Sequence, residues 1–303
     1  MYSDIEKETL QAGFITLFRG RADVYGHDEG RCVKEPLDTS VFNQHLTGGN
    51  SIGVYPIVPT QGDFKVVWGC SDIDIEDIVR ATNLRDALKE AGVTSYVERS
   101  RSKGYHVWVF APELVHAKDM RRMFLAAHQV ADIPPIEVNP KQETLNGTNY
   151  GNYVRLPYPN GLNEMPTRRV ILDRNNQPVP MDIFIPYALE HRTDPTLITK
   201  LAGYYTEPVY QHTAPLQMDT PTSVRDALTN LSPLGKVIWR DGPLPSKDRS
   251  TTLSHLGHEC VRSGLNPSET RTVIADADRR WGKYHLRTNG DMEIDKLVMR
   301  VFR

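Results

Sequence analysis

Hydrophobic positions follow two different periods between residues 64 and 138. Apolar runs flanked by turn residues predict strands, and apolar positions three or four apart predict helices. The pattern gives, in order, strand 64–70, helix 75–91, strand 93–98, turn 99–104, strand 105–110, helix 113–131 and strand 136–138. This β-α-β-β-α-β order is that of the split βαβ unit of RRM-like domains, an antiparallel sheet with both helices on one face. We expect the other face to be open for chemistry, with further strands at 153–157 and 169–172.

The carboxyl-terminal part of the chain has helical spacing throughout. Asp248 is placed to cap a helix that ends near Gly264, and Asn266 to Glu269 has the form of a capping box before a second helix. A last helix is expected from about Met292. Residues 205–222 are rich in Pro and Thr and lack apolar periodicity, which is typical of a linker. The sequence therefore predicts an α+β body over 1–204, a linker over 205–222 and a small all-helical domain over 223–303.

Composition places the chain among globular proteins. Of 303 residues, 39% are hydrophobic and 24% are charged, which excludes collagen-like, disordered and membrane classes. There is no apolar run of about 18 residues, and the chain opens with acidic and polar residues. We therefore expect no membrane partner and a location in the cytoplasm. Cys32, Cys70 and Cys260 are far apart, so we expect neither a disulfide framework nor a cysteine zinc site.

Charge is distributed unevenly along the chain. The net charge is −2, but residues 221–303 contain 14 Lys and Arg against 10 Asp and Glu, a net of +4, which leaves −6 for the rest. A basic tail beside an acidic body fits a nucleic-acid contact next to a metal-binding core. A solvated helix face explains the same charges equally well.

The first candidate site is the sequence Asp72-Ile73-Asp74 at the end of the first strand. Because side chains alternate along a strand, both carboxylates lie on one side of the sheet. Two carboxylates that converge repel each other unless a cation lies between them, and oxygen ligands suit Mg²⁺ or Mn²⁺. The alternative is that these acids only cap the following helix.

The second candidate site is the turn between the second and third strands. Arg101, Ser102, Lys103 and a glycine lie within it, and His106 follows on the third strand. Guanidinium, ammonium, hydroxyl and main-chain N–H groups together are suited to phosphate oxygens. A phosphate bound there would lie next to the acids of the first strand. The alternative is a solvated basic hairpin with a buried structural histidine.

The third candidate is Glu137, whose neighbours Ile136 and Val138 are apolar. Its side chain therefore points to the opposite face from theirs. A third carboxylate on the face of Asp72 and Asp74 would complete a two-metal site for in-line phosphoryl transfer. A lone acid on a strand without such a role is the alternative.

Four segments in this order resemble the motifs of the archaeo-eukaryotic primase superfamily, above all the primase-polymerases of phages, plasmids and mobile elements. They are DID (72–74), ERSRSKGYHVWVF (98–110), IEVNPKQ (136–142) and GNYVRLP (151–157). The resemblance spans about residues 14–172. The helical tail resembles, more weakly, the small domain that follows the catalytic unit in many of these enzymes.

The resemblance implies residue roles and ligands. Asp72, Asp74 and Glu137 would be catalytic and bind Mg²⁺ or Mn²⁺, although many relatives have aspartate at the third position, which leaves direct ligation by Glu137 open. Ser102 and His106 would grip the phosphates of the incoming nucleotide. The residues that would border nucleotide or template are Lys141, Gln142, Asn152 and Arg155. No zinc-binding insert is expected, and His255, His258 and Cys260 are interpreted as ordinary helix positions.

The function implied is that of a DNA primase-polymerase, which transfers nucleotides from an NTP or dNTP on a single-stranded DNA template by two-metal catalysis and begins primers de novo. Arg279, Arg280 and Lys283 would contact nucleic acid, a replicative helicase would be a further partner, and the setting would be the cytoplasm of a bacterial host. Two alternatives stay open: a gap-filling polymerase of the same superfamily, and a non-catalytic nucleic-acid-binding replication module. A glycosyltransferase with D-x-D should show a doubly wound half, which the pattern lacks.

Overall fold

A computed structural model describes residues 2–74, 76–134, 137–147, 149–207, 223–243, 248–281 and 284–302. The chain divides into two compact units, Met1–Glu207 and Pro208–Arg303, here called the first and second unit. Each unit is described by itself. Most of the segment interpreted as a linker, from residue 208 to 222, lies outside the described residues.

The first unit combines helices with short and long strands. In chain order its elements are α1 (Asp4–Phe18), β1 (Tyr25–His27), β2 (Cys32–Val33), α2 (Thr39–Leu46), β3 (Ile52–Val54), β4 (Val58–Thr60), β5 (Asp63–Ile73), α3 (Ile78–Glu90), β6 (Tyr96–Arg99), β7 (Tyr105–His116), α4 (Ala117–Val130), β8 (Glu137–Asn139), β9 (Val154–Arg155), β10 (Val170–Leu172), α5 (Met181–Glu190) and α6 (Pro195–Ala202).

The main sheet contains the predicted split βαβ unit. Its strand order is β10-β6-β7-β5-β4, and β8 also pairs with β5. The pairs within it are antiparallel. The strands β8-β5-β7-β6, with α3 after β5 and α4 after β7, have the order expected for this unit. The predicted fold class is confirmed.

Two predicted boundaries are wrong in the same place. The third strand does not end at Phe110 but continues to His116, and the following helix begins at Ala117 instead of residue 113. The reason is that β5 is long and its first residues also need a partner: Lys65 pairs with His116 beyond an irregularity in the register. Pairing of backbone groups thus overrides the helical spacing of the side chains.

The two faces of the sheet are covered differently. On one face, Gly69 lies against Met120 and Phe124 of α4, and α3 lies beside α4. The other face, which we expected to be open, is open only at one end. Over the rest of it, the Phe18 ring of α1 packs edge-on against Trp108 and Phe110, with ring centroids 5.2 and 5.1 Å apart.

The second, smaller sheet of the first unit has the order β2-β1-β3-β9. Its strands have only two or three residues. Both β1–β3 and β3–β9 are antiparallel pairs, and Gly53 of β3 pairs with Gly26 on one side and Arg155 on the other. This small sheet brings residues of β9 to the open end of the main sheet.

The second unit is helical in its described part. Its helices are α7 (Val224–Thr229), α8 (Pro233–Asp241), α9 (Arg249–Arg262), α10 (Pro267–Trp281) and α11 (Gly290–Val301). The predicted cap and capping box are confirmed: Asp248 accepts from the Thr251 N–H at 2.7 Å, and Asn266 and Glu269 exchange bonds of 2.8 and 2.9 Å. Within the described ranges, none of the helices has the length and apolar character that crossing a membrane requires.

Candidate active site

One row of ionisable side chains runs across four neighbouring strands at the open end of the main sheet. Glu98 of β6 lies opposite His106 of β7, His106 lies opposite Asp72 of β5, and Asp72 lies opposite Glu137 of β8. Side chains of directly opposed residues share a face and come within about 5 Å at their Cβ atoms. Three acids and one histidine therefore meet on one face, and Asp74 follows just beyond the end of β5.

Glu98, at one end of this row, is fully buried. One of its carboxylate oxygens, Oε2, accepts from His106 Nδ1 at 2.8 Å and from Trp108 Nε1 at 2.6 Å. Burial disfavours a charge on the His106 ring, but the carboxylates of Glu98 and Asp72 outweigh burial and raise the pKa of His106 to about 10. The ring is therefore a cation near neutral pH, and it donates from Nδ1 to Glu98.

The second ring nitrogen of His106 faces Asp72, with Nε2 and Oδ1 3.6 Å apart. Burial, followed by the charge of Asp72, raises the pKa of the Asp74 carboxyl. Glu137 accepts from Lys141 Nζ at 2.9 Å. Each of these acids therefore lies within the field of another charge at the site.

The donor set at this end of the sheet consists of oxygen atoms, which suits Mg²⁺ or Mn²⁺. Within the ranges that the structure describes, no three His, Cys, Asp or Glu side chains are arranged closely enough to hold a metal ion by themselves. Magnesium ions in nucleotide enzymes are usually bound by one or two carboxylates together with substrate phosphates. Burial first, and then the charge of Asp72, raise the pKa of Asp74, so a cation between the two carboxylates would favour their charged forms. The residues fit a metal ion that arrives with its nucleotide.

The predicted basic turn lies next to these acids. Its ends are joined by a bond from the Ser100 N–H to the Gly104 carbonyl, at 3.1 Å. Gly104 has φ +96°, and a side chain there would run into the carbonyl oxygen of Ile73. Only glycine allows the turn to lie this close to the end of β5. The turn is thereby held beside Asp74.

A cavity of about 440 Å³ joins the acids to the turn. One side, here called the acidic wall, contains Asp72, Asp74 and Glu137. Another part of the lining, here called the basic wall, contains Arg101, Arg155 and Arg169. The cavity is lined by Asp72, Asp74, Glu98, Ser100, Arg101, Ser102, His106, Glu137, Asn139, Tyr153, Val154, Arg155 and Arg169.

Arg169 and Asp28 were not singled out from the sequence, yet they organise the basic wall. The Arg169 side chain is only 6% exposed, and its Nη1 lies 3.3 Å from Asp28 Oδ1. Arg155 and Arg101 also contact Asp28, at 3.2 and 3.3 Å. Asp28 lies 127 and 141 residues from Arg155 and Arg169 in sequence, so no local pattern could have revealed this contact.

Tyr153 is a further residue that sequence reasoning missed. Its ring lies directly over Gly26 and Gly53, where a side chain on either glycine would collide with it. The Arg155 guanidinium lies 5.8 Å from the centre of the same ring. Tyr153 thus lines the cavity next to Arg155, with its ring packed on the backbone of the small sheet.

Other predicted residues lie away from the cavity lining. Lys103 is exposed on the turn. Lys141 contacts Glu137 from outside, and Asn152 accepts from Gln142 Nε2 at 2.9 Å. Arg280 and Arg279 are exposed on α10 of the second unit, where the Arg280 guanidinium stacks over Trp239 at 4.0 Å. The predicted contact Lys283 lies outside the described residues.

Glu98 could have been found from the sequence. It lies eight residues before His106 across the predicted turn, and the hairpin register Glu98↔His106 follows from the closed turn between them. A carboxylate directly opposite a histidine on one face of a sheet is an indication of an ion pair. Arg169 gave no comparable signal, since it only precedes a strand of three residues, Val170–Leu172.

Comparison with known proteins gives one family. The profile of the family described as "TOTE conflict system, Archaeo-Eukaryotic Primase domain" matches residues 29–184. Among solved structures, the chain is similar to "Crystal structure of primase RepB'", with 12% identity over 97% of this chain and 93% of that chain and a TM-score of 0.33. No curated protein matches the chain.

Proposed function

The chain belongs to the family of archaeo-eukaryotic primase domains of TOTE conflict systems, and on that premise we propose that it is a DNA primase-polymerase. It transfers nucleotides from an NTP or dNTP onto a growing strand, directed by single-stranded DNA, and it begins primers without a supplied 3′ end. The setting that we propose is the cytoplasm of a bacterial host, in the replication of a phage or mobile element.

One observation supports the proposal: a single cavity is lined by both an acidic wall and a basic wall. Nucleotidyl transfer needs oxygen ligands for divalent cations at the reacting phosphate and fixed positive charge along the rest of the triphosphate. Asp72, Asp74 and Glu137 supply the first, and Arg101 and Arg155 supply the second. A binding module without catalysis would need the basic wall but not the acidic one.

Asp72 and Asp74, with Glu137 beside them, would hold Mg²⁺ or Mn²⁺. Such ions, when bound, lower the pKa of the attacking 3′-hydroxyl and neutralise charge on the leaving pyrophosphate. The remaining contributions come from the protein itself. The two aspartates flank Ile73, whose buried side chain anchors the end of β5 in the core, so that their carboxylates are held in place before a nucleotide enters.

His106 supplies a fixed cation in the acidic part of the cavity. Its charge is maintained by Glu98, which is fully buried and bonded to Nδ1. With Nδ1 occupied, the ring orientation is set, and the Nε2 proton is directed toward Asp72 and the space in front of it. A donor fixed in this way can bind a phosphate oxygen without reorganising during the reaction.

The basic turn orients the triphosphate. Arg101 and Ser102 line the cavity, and the exposed Lys103 adds a positive charge whose field reaches Asp74. Arginine can bind two phosphate oxygens at once, whereas lysine acts as a point charge. Lys141, Gln142 and Asn152 do not line the cavity, but Lys141 contacts Glu137 of the acidic wall. We propose that they border the nucleotide or the template strand.

The second unit is proposed to act in primer initiation. Arg279 and Arg280 are exposed on α10, and Arg280 is held by Asp276 at 2.9 Å as well as by Trp239. These cations are suited to the phosphates of single-stranded DNA. A replicative helicase is proposed as a further partner of the full chain.

The experiment that tests the proposal is synthesis on unprimed single-stranded DNA, with NTPs or dNTPs and with Mg²⁺ or Mn²⁺. We expect labelled products from the wild-type chain and none from the double variant Asp72→Ala, Asp74→Ala. Asp86→Asn is the matched control, because Asp86 is exposed on α3, pairs with its neighbour Arg85 at 2.9 Å and does not line the cavity. Extension of supplied primers without initiation would instead identify a gap-filling polymerase, and binding of DNA without any synthesis would identify a non-catalytic module.

A further inference from the structure

Three arginines of the cavity share one carboxylate. Asp28 Oδ1 lies 3.3 Å from Arg101 Nη1, 3.2 Å from Arg155 Nε and 3.3 Å from Arg169 Nη1. The main-chain carbonyl of Asp28 also accepts from Arg101 at 3.0 Å and from Arg155 at 3.1 Å. A set of guanidinium groups around one small anion is the arrangement by which proteins bind phosphate.

The arrangement is built into the fold. Arg169 is buried, and it donates to the carbonyl of Leu156 at 2.9 and 2.6 Å and to that of Ile52 at 3.3 Å. Its backbone has φ +55°, in the left-handed region that a residue with a side chain seldom adopts. Such a conformation persists only where the surroundings enforce it, and it is typical of binding sites.

The charges around Asp28 are not balanced. Three guanidinium groups meet one carboxylate, which leaves a surplus of two positive charges at the basic wall. The Asp28 side chain is 29% exposed, so solvent and ligands can reach it. An anion with several charges can therefore still be attracted here, but it must share the arginines with Asp28 or displace its carboxylate.

Asp28 is carried by the short connection between β1 and β2. The His27 N–H bonds to the Arg31 carbonyl at 2.8 Å, and the Asp28 N–H bonds to the Ser51 carbonyl at 3.1 Å. These main-chain bonds do not depend on the Asp28 carboxylate. The connection can thus keep its position when the side chain turns away from the arginines.

We propose that Arg101, Arg155 and Arg169 form a polyphosphate cradle and that Asp28 is its resident anion, which competes with the triphosphate of the incoming nucleotide and sets the affinity for it. This inference rests on the proposed function for the identity of the ligand. Competition keeps triphosphate and the released pyrophosphate from binding too tightly, because the carboxylate returns to the arginines as the phosphate leaves.

The test is binding of inorganic tripolyphosphate to the full chain by calorimetry, in buffer with a chelator so that no metal takes part. Asp28→Asn keeps the shape of the side chain and removes its charge. We expect tripolyphosphate to bind about tenfold more tightly to this variant, because a like charge within about 4 Å of the ligand is removed. The gain should be smaller for monophosphate, which carries less charge, and it should shrink as salt is raised.

Asp23→Asn is the matched control. Asp23 pairs with Arg21 at 2.7 Å, its side chain is 59% exposed, and it does not line the cavity. We expect its affinity for tripolyphosphate to equal that of the wild type. Equal or weaker binding by Asp28→Asn would overturn the inference, since Asp28 would then only hold the arginines in place.

A second variant covers the case in which Asp28→Asn does not fold. Arg101 is 56% exposed, so Arg101→Gln should fold and bind tripolyphosphate more weakly; unchanged binding would overturn the cradle. These readouts do not depend on synthesis. If tripolyphosphate binding changes as expected but no DNA is made, the proposed function fails and the inference stands. If DNA is made but Asp28→Asn does not tighten binding, the inference fails and the proposed function stands.

Discussion

His45 provides a sharp prediction about acid stability, because it is buried next to the scaffold of the basic wall. Its Nε2 donates to the Pro157 carbonyl at 2.8 Å, and the Ile52 N–H approaches Nδ1 at 3.4 Å. Burial, together with the charge of Arg169, lowers the pKa of His45 to about 3. The ring is therefore neutral in the folded chain, whereas in the unfolded chain it titrates near 6.5.

The sign of the pH effect follows from this difference. Above pH 6.5 the ring is neutral in both states, and the stability that depends on its neutrality is fully present. As the pH falls below 6.5, the unfolded chain binds a proton that the folded chain does not, so the free energy of unfolding decreases. The loss is about 1.4 kcal/mol per pH unit, which gives about 2 kcal/mol at pH 5 and about 5 kcal/mol near pH 3.

The variant that isolates this effect is His45→Gln, since the glutamine amide can still donate to Pro157 and does not titrate. Urea unfolding is followed by tryptophan fluorescence at pH 7 and pH 5, with Trp239 and Trp281 replaced by phenylalanine so that the signal reports the first unit. We expect the wild type to lose about 2 kcal/mol more than His45→Gln over this range. The control His258→Gln changes a side chain that is exposed on α9 of the second unit and should leave the pH dependence of the first unit as in the wild type. An equal loss in wild type and His45→Gln would refute the reasoning.

Three further predictions concern packing, the second unit and initiation. Gly53→Ala should lower the free energy of unfolding by about 1–3 kcal/mol, because the new methyl group collides with the Tyr153 ring. Adding Tyr153→Ala should relieve part of this loss, and strictly additive losses of the two variants in urea unfolding would argue against the clash. Asp278→Asn should destabilise the second unit by about 2 kcal/mol, since the fully buried Asp278 carboxylate accepts from the Tyr284 and His285 N–H groups at 2.9 and 2.7 Å. A change below about 0.5 kcal/mol in the free energy of unfolding, followed by Trp239 and Trp281 fluorescence, would contradict this prediction. Deleting residues 221–303 should reduce initiation on unprimed DNA more than extension of a supplied primer, and equal losses would mean that the second unit only stabilises the first.

The central sheet could be predicted because its long elements carry a clear period. The apolar run within β5 and the helical spacing of α3 and α4 lie in elements of 11 to 14 residues each. The strands of the second sheet have two or three residues, which is too short for any period to show. They are held by pairing with distant strands, which no local pattern reports.

The packing of α1 on one face of the main sheet shows a second limit of prediction from sequence. Leu10, Phe14, Leu17 and Phe18 lie on one side of α1 and are buried, and their spacing is readable as a helix. What the spacing does not tell is which surface the helix covers. The Phe18 ring contacts Trp108 and Phe110, about 90 residues away, so the open part of the face is decided by long-range packing.

In the candidate site, too, local patterns place some residues and long-range contacts place others. Asp72, Asp74 and Glu137 could be placed together from the strand order and the alternation of side chains alone. Of the partners that set the properties of the site, Glu98 could be inferred from the hairpin register. The contacts of Asp28 could not, because they join the amino-terminal segment to β9 and Arg169. The arrangement of the basic wall therefore depends on Asp28, a residue outside every motif of the sequence analysis.

The central claim is that the cavity performs template-directed nucleotidyl transfer. The most direct measurement is single-nucleotide addition to a labelled primer on four templates that differ only in the next base, with Mg²⁺ or Mn²⁺ present. We expect the wild-type chain and Asp86→Asn to add the complementary nucleotide on each template, and the double variant Asp72→Ala, Asp74→Ala to add none while keeping its thermal unfolding transition. Addition that ignores the template base, or addition by the double variant at the wild-type rate, would contradict the account.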